Sequence, residues 1–133
     1  MRLYKAFSLA AAIVFAAVGL IFIFSPGSPL ILFNGISDYF GLPQSPAADY
    51  SLYLILAGAY MYAVTLLAFL MYRHPEQNIY PFLLANFKLA SSIISLCLFI
   101  IHQHYLIYLA NFLIDGFIGI AAICLMKIAK NEV

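Results

Sequence analysis

Four runs of about twenty residues in this chain are almost free of charge, a pattern that suits little except a lipid bilayer. Residues 6–24 and 51–72 carry no charged side chain, 82–101 carries only Lys88, and 106–126 carries only Asp115. A hydrocarbon core of about 30 Å is crossed by roughly 20 helical residues at about 1.5 Å each. The chain has 133 residues, enough for one domain, with 66% hydrophobic and 8% charged. A soluble domain of that size could not cover so much apolar surface with so few charges. The expected fold class is therefore all-α: a polytopic membrane protein with a four-transmembrane-helix bundle. The third and fourth runs nearly touch, yet together they exceed a single crossing. HQHY at 102–105 is therefore expected to form a tight turn.

The first run follows Arg2 and Lys5, as a secretory signal would. It is longer than a signal h-region, however, and SPGSP follows it where a small-x-small cleavage site would stand. It is expected to remain as the first span. Outside the spans, Arg2, Lys5, Arg73, Lys127 and Lys130 all fall on one side of the fourfold crossing, and segments 25–50 and 102–105 contain no lysine or arginine. That asymmetry predicts both termini and the RHPEQN loop on the cytoplasmic side.

The one long connection, 25–50, is bracketed by Pro26, Pro29, Pro43 and Pro46. Ser28 ahead of Pro29 resembles a helix start, a cap residue followed by proline in the first turn. Leu32, Phe33, Ile36, Tyr39 and Phe40 then recur at helical spacing, while Asn34, Ser37 and Asp38 fall elsewhere. The expectation is an amphipathic outer segment lying in the interface with its apolar side in lipid. It could rest there passively, cover an opening, or dock a neighbour.

In the first span, Ser8, Ala12, Ala16 and Gly19 form a small-residue stripe that lets another backbone approach closely. Ala57, Gly58 and Ala59 in the second span are its expected partner surface. Tyr50, Tyr53 and Tyr72 suit the two interfaces. Tyr60 and Tyr62 lie nearer mid-depth, where each hydroxyl wants a partner within the protein. Cys97 and Cys124 fall at opposite depths of the third and fourth spans, so a disulfide is not expected; they are expected to act as small buried hydrophobes.

Polarity concentrates in the last two spans. Lys88, Ser91, Ser92 and Ser95 occupy one helical face, at i, i+3, i+4 and i+7. His104, Tyr108, Asn111 and Asp115 keep the same spacing on the other, continued by Gly119 and Ala122. Two antiparallel helices joined by a tight turn should turn these stripes together. Lys88 stands about 9 Å and Asp115 about 16 Å from one membrane face. The offset of about 7 Å lies within reach of an extended lysine. Ser92 should lie level with Asp115, and Gly119 should leave room opposite Lys88.

A charge near a helix centre costs about 2.5 to 3.5 kcal/mol on insertion, a cost that the surrounding Leu, Ile and Phe offset at about 0.3 to 0.6 kcal/mol each. An unpaired aspartate at that depth would hold its proton, and pairing with Lys88 would reverse that preference. Three readings stay open. Lys88 and Asp115 form a buried ion pair that fixes register; or Lys88 snorkels to the interface and leaves a neutral Asp115 bonded to Asn111 or Ser92; or the seam of Lys88, Ser91, Ser92, Ser95, Tyr108, Asn111 and Asp115 is a proton or ligand site.

His102 and His104 are the only candidates for metal ligation, and two histidines in one turn fall short of the three or four ligands that zinc or copper takes. No metal or other cofactor is expected, although a bound lipid or quinone would fit such a bundle. The chain has no phosphate-binding glycine loop, nucleophile elbow or H-E-x-x-H. Its six Lys and Arg are too scattered to follow a nucleic acid.

The AVGLIFIFSPGSP end of the first span, FKLASS in the third and NFLIDG in the fourth resemble the DoxX-like small four-helix bacterial membrane proteins. The resemblance implies a four-helix bundle in a bacterial inner membrane. Some members of that group are linked to quinone or sulfur metabolism, and no catalytic residue carries over. The leading expectation is a non-enzymatic accessory or structural subunit, in contact with membrane lipids and with other membrane subunits or itself. The alternatives are a proton-coupled or small-molecule transporter using Asp115 and Lys88, and a lipid- or quinone-binding enzyme.

Overall fold

The computed structural model describes residues 1–25, 27–44 and 51–132, with the backbone alone over 51–54. The described residues form five helices and no strand: α1 (Arg2–Phe24), α2 (Gly27–Tyr39), α3 (Ser51–Arg73), α4 (Ile79–Ile101) and α5 (Leu106–Asn131). All except α2 are long and apolar enough to cross a membrane, and the fold is a four-span membrane bundle. Residues 102–105 form the expected turn between α4 and α5.

Two spans outrun the apolar segments that encode them. The α4 helix begins at Ile79, with Pro81 in its first turn, where a missing N–H leaves no helical bond unmade. The α5 helix continues to Asn131 through Lys127 and Lys130, whose long stems can carry their charge to water.

The bundle consists of two closely packed antiparallel pairs, α1 with α3 and α4 with α5. Lighter contacts of α3 with α4 and of α1 with α5 close the ring. Along α1 the buried residues are Tyr4, Ser8, Ala11, Ala12, Phe15 and Gly19. Ala16, expected in the small-residue stripe, is exposed. Steps of four, three and four keep the stripe facing α3, and they select Phe15 instead. The pair approaches closely at Gly19: a Cβ there would lie 3.2 Å from the Met61 Cβ. On α3 the buried face is Met61, Val64, Ala68 and Met71. Of the expected partner surface, Gly58 meets Ile23 of α1, whereas Ala59 faces outward.

The α2 helix starts at Gly27, so Ser28 lies inside its first turn rather than capping it. Its end is closed by a Schellman arrangement: Leu42 N–H donates to the Ser37 carbonyl, Gly41 N–H donates to the Asp38 carbonyl, and Gly41 has φ +65°. Ser37 is buried and its hydroxyl donates to the Phe33 carbonyl, while Leu32, Ile36, Tyr39 and Phe40 are exposed. The helix rests on α5 and α1. Pro26, Pro46 and Tyr50, and the side chain of Tyr53, lie outside the described residues.

At the other end of the bundle the chain termini meet, with the Met1 ammonium paired to the Glu132 carboxylate. Tyr4 packs beside them at 2% exposure, and its hydroxyl is buried with no hydrogen-bond partner among the described residues. A polar group left unpaired in this way costs about 1 to 3 kcal/mol. Tyr4→Phe is therefore expected to unfold in detergent at a higher temperature than the parent, gaining about 1 kcal/mol. A lower midpoint would mean that the hydroxyl holds a bound water.

Candidate functional site

The α4 and α5 helices turn their polar stripes together because a four-residue turn leaves them antiparallel neighbours, and because the remaining faces are Leu, Ile and Phe. Lys88 Nζ donates to Asp115 Oδ1 at 2.9 Å, and the two side chains are only 4% and 6% exposed. The two side chains thus reach each other across the α4–α5 seam. Its charge is directed at Asp115 and not at the interface, so the snorkelling arrangement does not occur.

The ammonium also faces the other helix pair. It lies 4.5 Å from the ring centre of Phe15 on α1 and 5.2 Å from that of Tyr60 on α3. Aromatic faces attract a cation, the more so when water is excluded. Lys88 thus joins all four spans at one point. The Tyr60 hydroxyl extends towards the Phe87 carbonyl at 3.5 Å, a weak contact at best.

Towards the α4–α5 turn the seam continues as a network. Asn111 Nδ2 donates to both Ser91 Oγ (3.0 Å) and Ser95 Oγ (2.6 Å), so one amide spans a full turn of α4. Ser92 Oγ donates to the Phe112 carbonyl at 2.7 Å. Close approach at this level depends on Gly116: a Cβ there would lie 2.9 Å from Ser92 Oγ. Gly119 does not make room for Lys88 as its level suggests. Its missing side chain is filled by Leu89, whose Cγ would stand 2.8 Å from an added Cβ, with the Ala85 carbonyl oxygen at 3.4 Å.

The stripe on α5 does not act as a whole. Tyr108 is half-buried and packs on Tyr105 at 5.5 Å without entering the seam's hydrogen bonds. His104 is exposed, set edge-on to Phe99 at 5.0 Å. His102 is exposed and closes α4 with its backbone N–H on the Leu98 carbonyl. Among the described residues no three His, Cys, Asp or Glu side chains converge on one point. Cys97 and Cys124 are free, and both are exposed on the outer surface, contrary to the buried position expected of them.

Phe15 is the contributor that the sequence hides. It belongs to a different helix pair, and only the α1 packing stripe could have placed it towards the centre. Chemically, the site is a charge pair held in a dry, aromatic-walled centre, suited to fixing helix register or to holding a proton between two partners. No protein-family model, curated protein or solved structure matches the chain.

Proposed function

We propose that this chain is a non-catalytic integral membrane subunit that docks on a neighbouring membrane protein, with the Lys88–Asp115 seam holding its own shape. Tyr62 carries the reading. It lies in the middle of α3, is 71% exposed, and its hydroxyl has no partner among the described residues. A tyrosine hydroxyl facing hydrocarbon at that depth is poorly placed unless another protein supplies an acceptor. The same outward face continues through Ile55, Ala59, Leu66 and Phe69, at steps of four, three, four and three. That is the narrow stripe by which one helix meets one other. The closed seam supports the same reading, because its groups find their partners within the chain.

In this reading both termini face the cytoplasm, where Arg2, Lys5, Arg73, Lys127 and Lys130 gather. Gentle extraction from the native membrane followed by native mass spectrometry is the test. The expected result is a mass containing a second polypeptide, which Tyr62→Ala depletes at unchanged expression. A parent protein found only as a monomer would overturn the reading. A homo-oligomer depleted by the same substitution would keep α3 as the interface and make the partner a second copy.

A proton-coupled carrier is the second reading, favoured by the position of the Lys88–Asp115 charge pair where all four spans converge. It requires a pH-dependent flux in vesicles that is lost when the pair is replaced without loss of folding.

A further inference from the structure

At the end of the bundle that holds the chain termini, the start of α4 and the end of α5 line a cleft of about 470 Å³, formed by Asn78, Ile79, Phe82, Met126, Lys127 and Lys130. We propose that this cleft binds an anionic phospholipid, with the phosphate between Lys127 and Lys130 and an acyl chain along Ile79, Phe82 and Met126.

The lining divides by chemistry in the direction a lipid requires. Lys127 and Lys130 are one turn apart on α5, both exposed, and neither pairs with a carboxylate among the described residues. No acidic side chain lines the cleft. At this end of the bundle, Glu132 is occupied by the Met1 ammonium and Glu76 faces His74. Asn78 adds an amide at the water side. Its side-chain oxygen accepts no capping bond from α4, so the amide can turn its N–H donors to a ligand oxygen. Ile79 and Phe82 are also one turn apart and half-exposed, and with Met126 they continue the cleft along the spans. A free phosphate would use the lysines and leave this apolar wall wet. A phospholipid uses both. Basic pockets between spans on the cytoplasmic side are suited to anionic headgroups, and each lysine near the surface adds to the attraction.

The test is native mass spectrometry of delipidated protein titrated with phosphatidylglycerol or phosphatidylcholine in detergent, alongside inorganic phosphate. The parent should retain phosphatidylglycerol over phosphatidylcholine. Lys127→Gln/Lys130→Gln should weaken the phosphatidylglycerol adduct at least about tenfold, and Lys127→Arg/Lys130→Arg should restore it. Arg2→Gln/Lys5→Gln removes the same charge from the same end, away from the cleft, and should leave binding within about twofold of the parent. Equal retention by the double glutamine variant would overturn the proposal, as would an equal loss in the Arg2/Lys5 control. Displacement of the lipid by millimolar inorganic phosphate would overturn it too. Both lysines are exposed, so the variants should fold, and unchanged thermal midpoints would confirm that the loss is one of binding.

Discussion

Asp115→Asn is expected to be the most damaging conservative change in the chain, lowering stability by about 3 to 5 kcal/mol, the cost of removing one member of a buried ion pair. Asparagine keeps the shape of the side chain, removes its charge and turns one acceptor oxygen into an N–H donor. The Lys88 ammonium then remains at the centre of the bundle with two aromatic faces and no counter-charge. The expected readouts are a much lower thermal midpoint in detergent and lower abundance in the membrane. Replacing both members with apolar residues of similar size, Lys88→Met with Asp115→Leu, should recover most of the loss, because the desolvation cost of two charges disappears along with their attraction. The surplus of the two single losses over the double loss measures their coupling. Recovery of stability separates the two functional readings. A double variant that folds and still associates with its partner leaves the pair a structural clamp, whereas one that folds and loses a pH-dependent flux makes it a working site. If Asp115→Asn proved as stable as the parent, the clamp would be discarded.

The reason this seam could be read so far from the residues lies in the solvent. In hydrocarbon a polar side chain has few places to go, so stripes at three-to-four spacing on adjacent antiparallel helices have to meet. Lys88, Ser91, Ser92, Asn111 and Asp115 followed that rule. The same argument failed for Tyr108 and His104, which lie nearer the α4–α5 turn, where water supplies partners and the stripe loses its force. The cysteines, expected inside as small hydrophobes, are exposed for a separate reason: a thiol is apolar enough for lipid, so nothing compels Cys97 or Cys124 inward. The small-residue stripe of α1 was legible in kind but slipped at Ala16, because alanine is acceptable on either face and only the helix-pair geometry decides between it and Phe15. Gly119 shows the limit of reasoning by level alone. Which neighbour fills the space opposite a glycine depends on rotation about the helix axis, and here Leu89 fills it.

Gly116→Ala is expected to destabilise by about 1 to 3 kcal/mol, and Ser92→Ala should partly repair it. An added Cβ at 116 would stand 2.9 Å from Ser92 Oγ, and the next nearest atom is the Ser92 Cβ at 3.8 Å. The conflict is thus with one oxygen. That oxygen is held in place because it donates to the Phe112 carbonyl across the seam. Either the hydroxyl rotates away and the interhelical bond is lost, or α4 and α5 separate and the neighbouring Asn111 bridge stretches as well. Ser92→Ala alone should cost no more than about 1 kcal/mol, in line with the modest worth of interhelical hydrogen bonds in membranes. In the double variant the oxygen is gone, the remaining separation is ordinary contact, and alanine favours the helix over glycine by about 1 kcal/mol. The double variant should therefore melt above Gly116→Ala in detergent. If the two losses simply added, the close approach of α4 and α5 would not be set by this glycine and this serine.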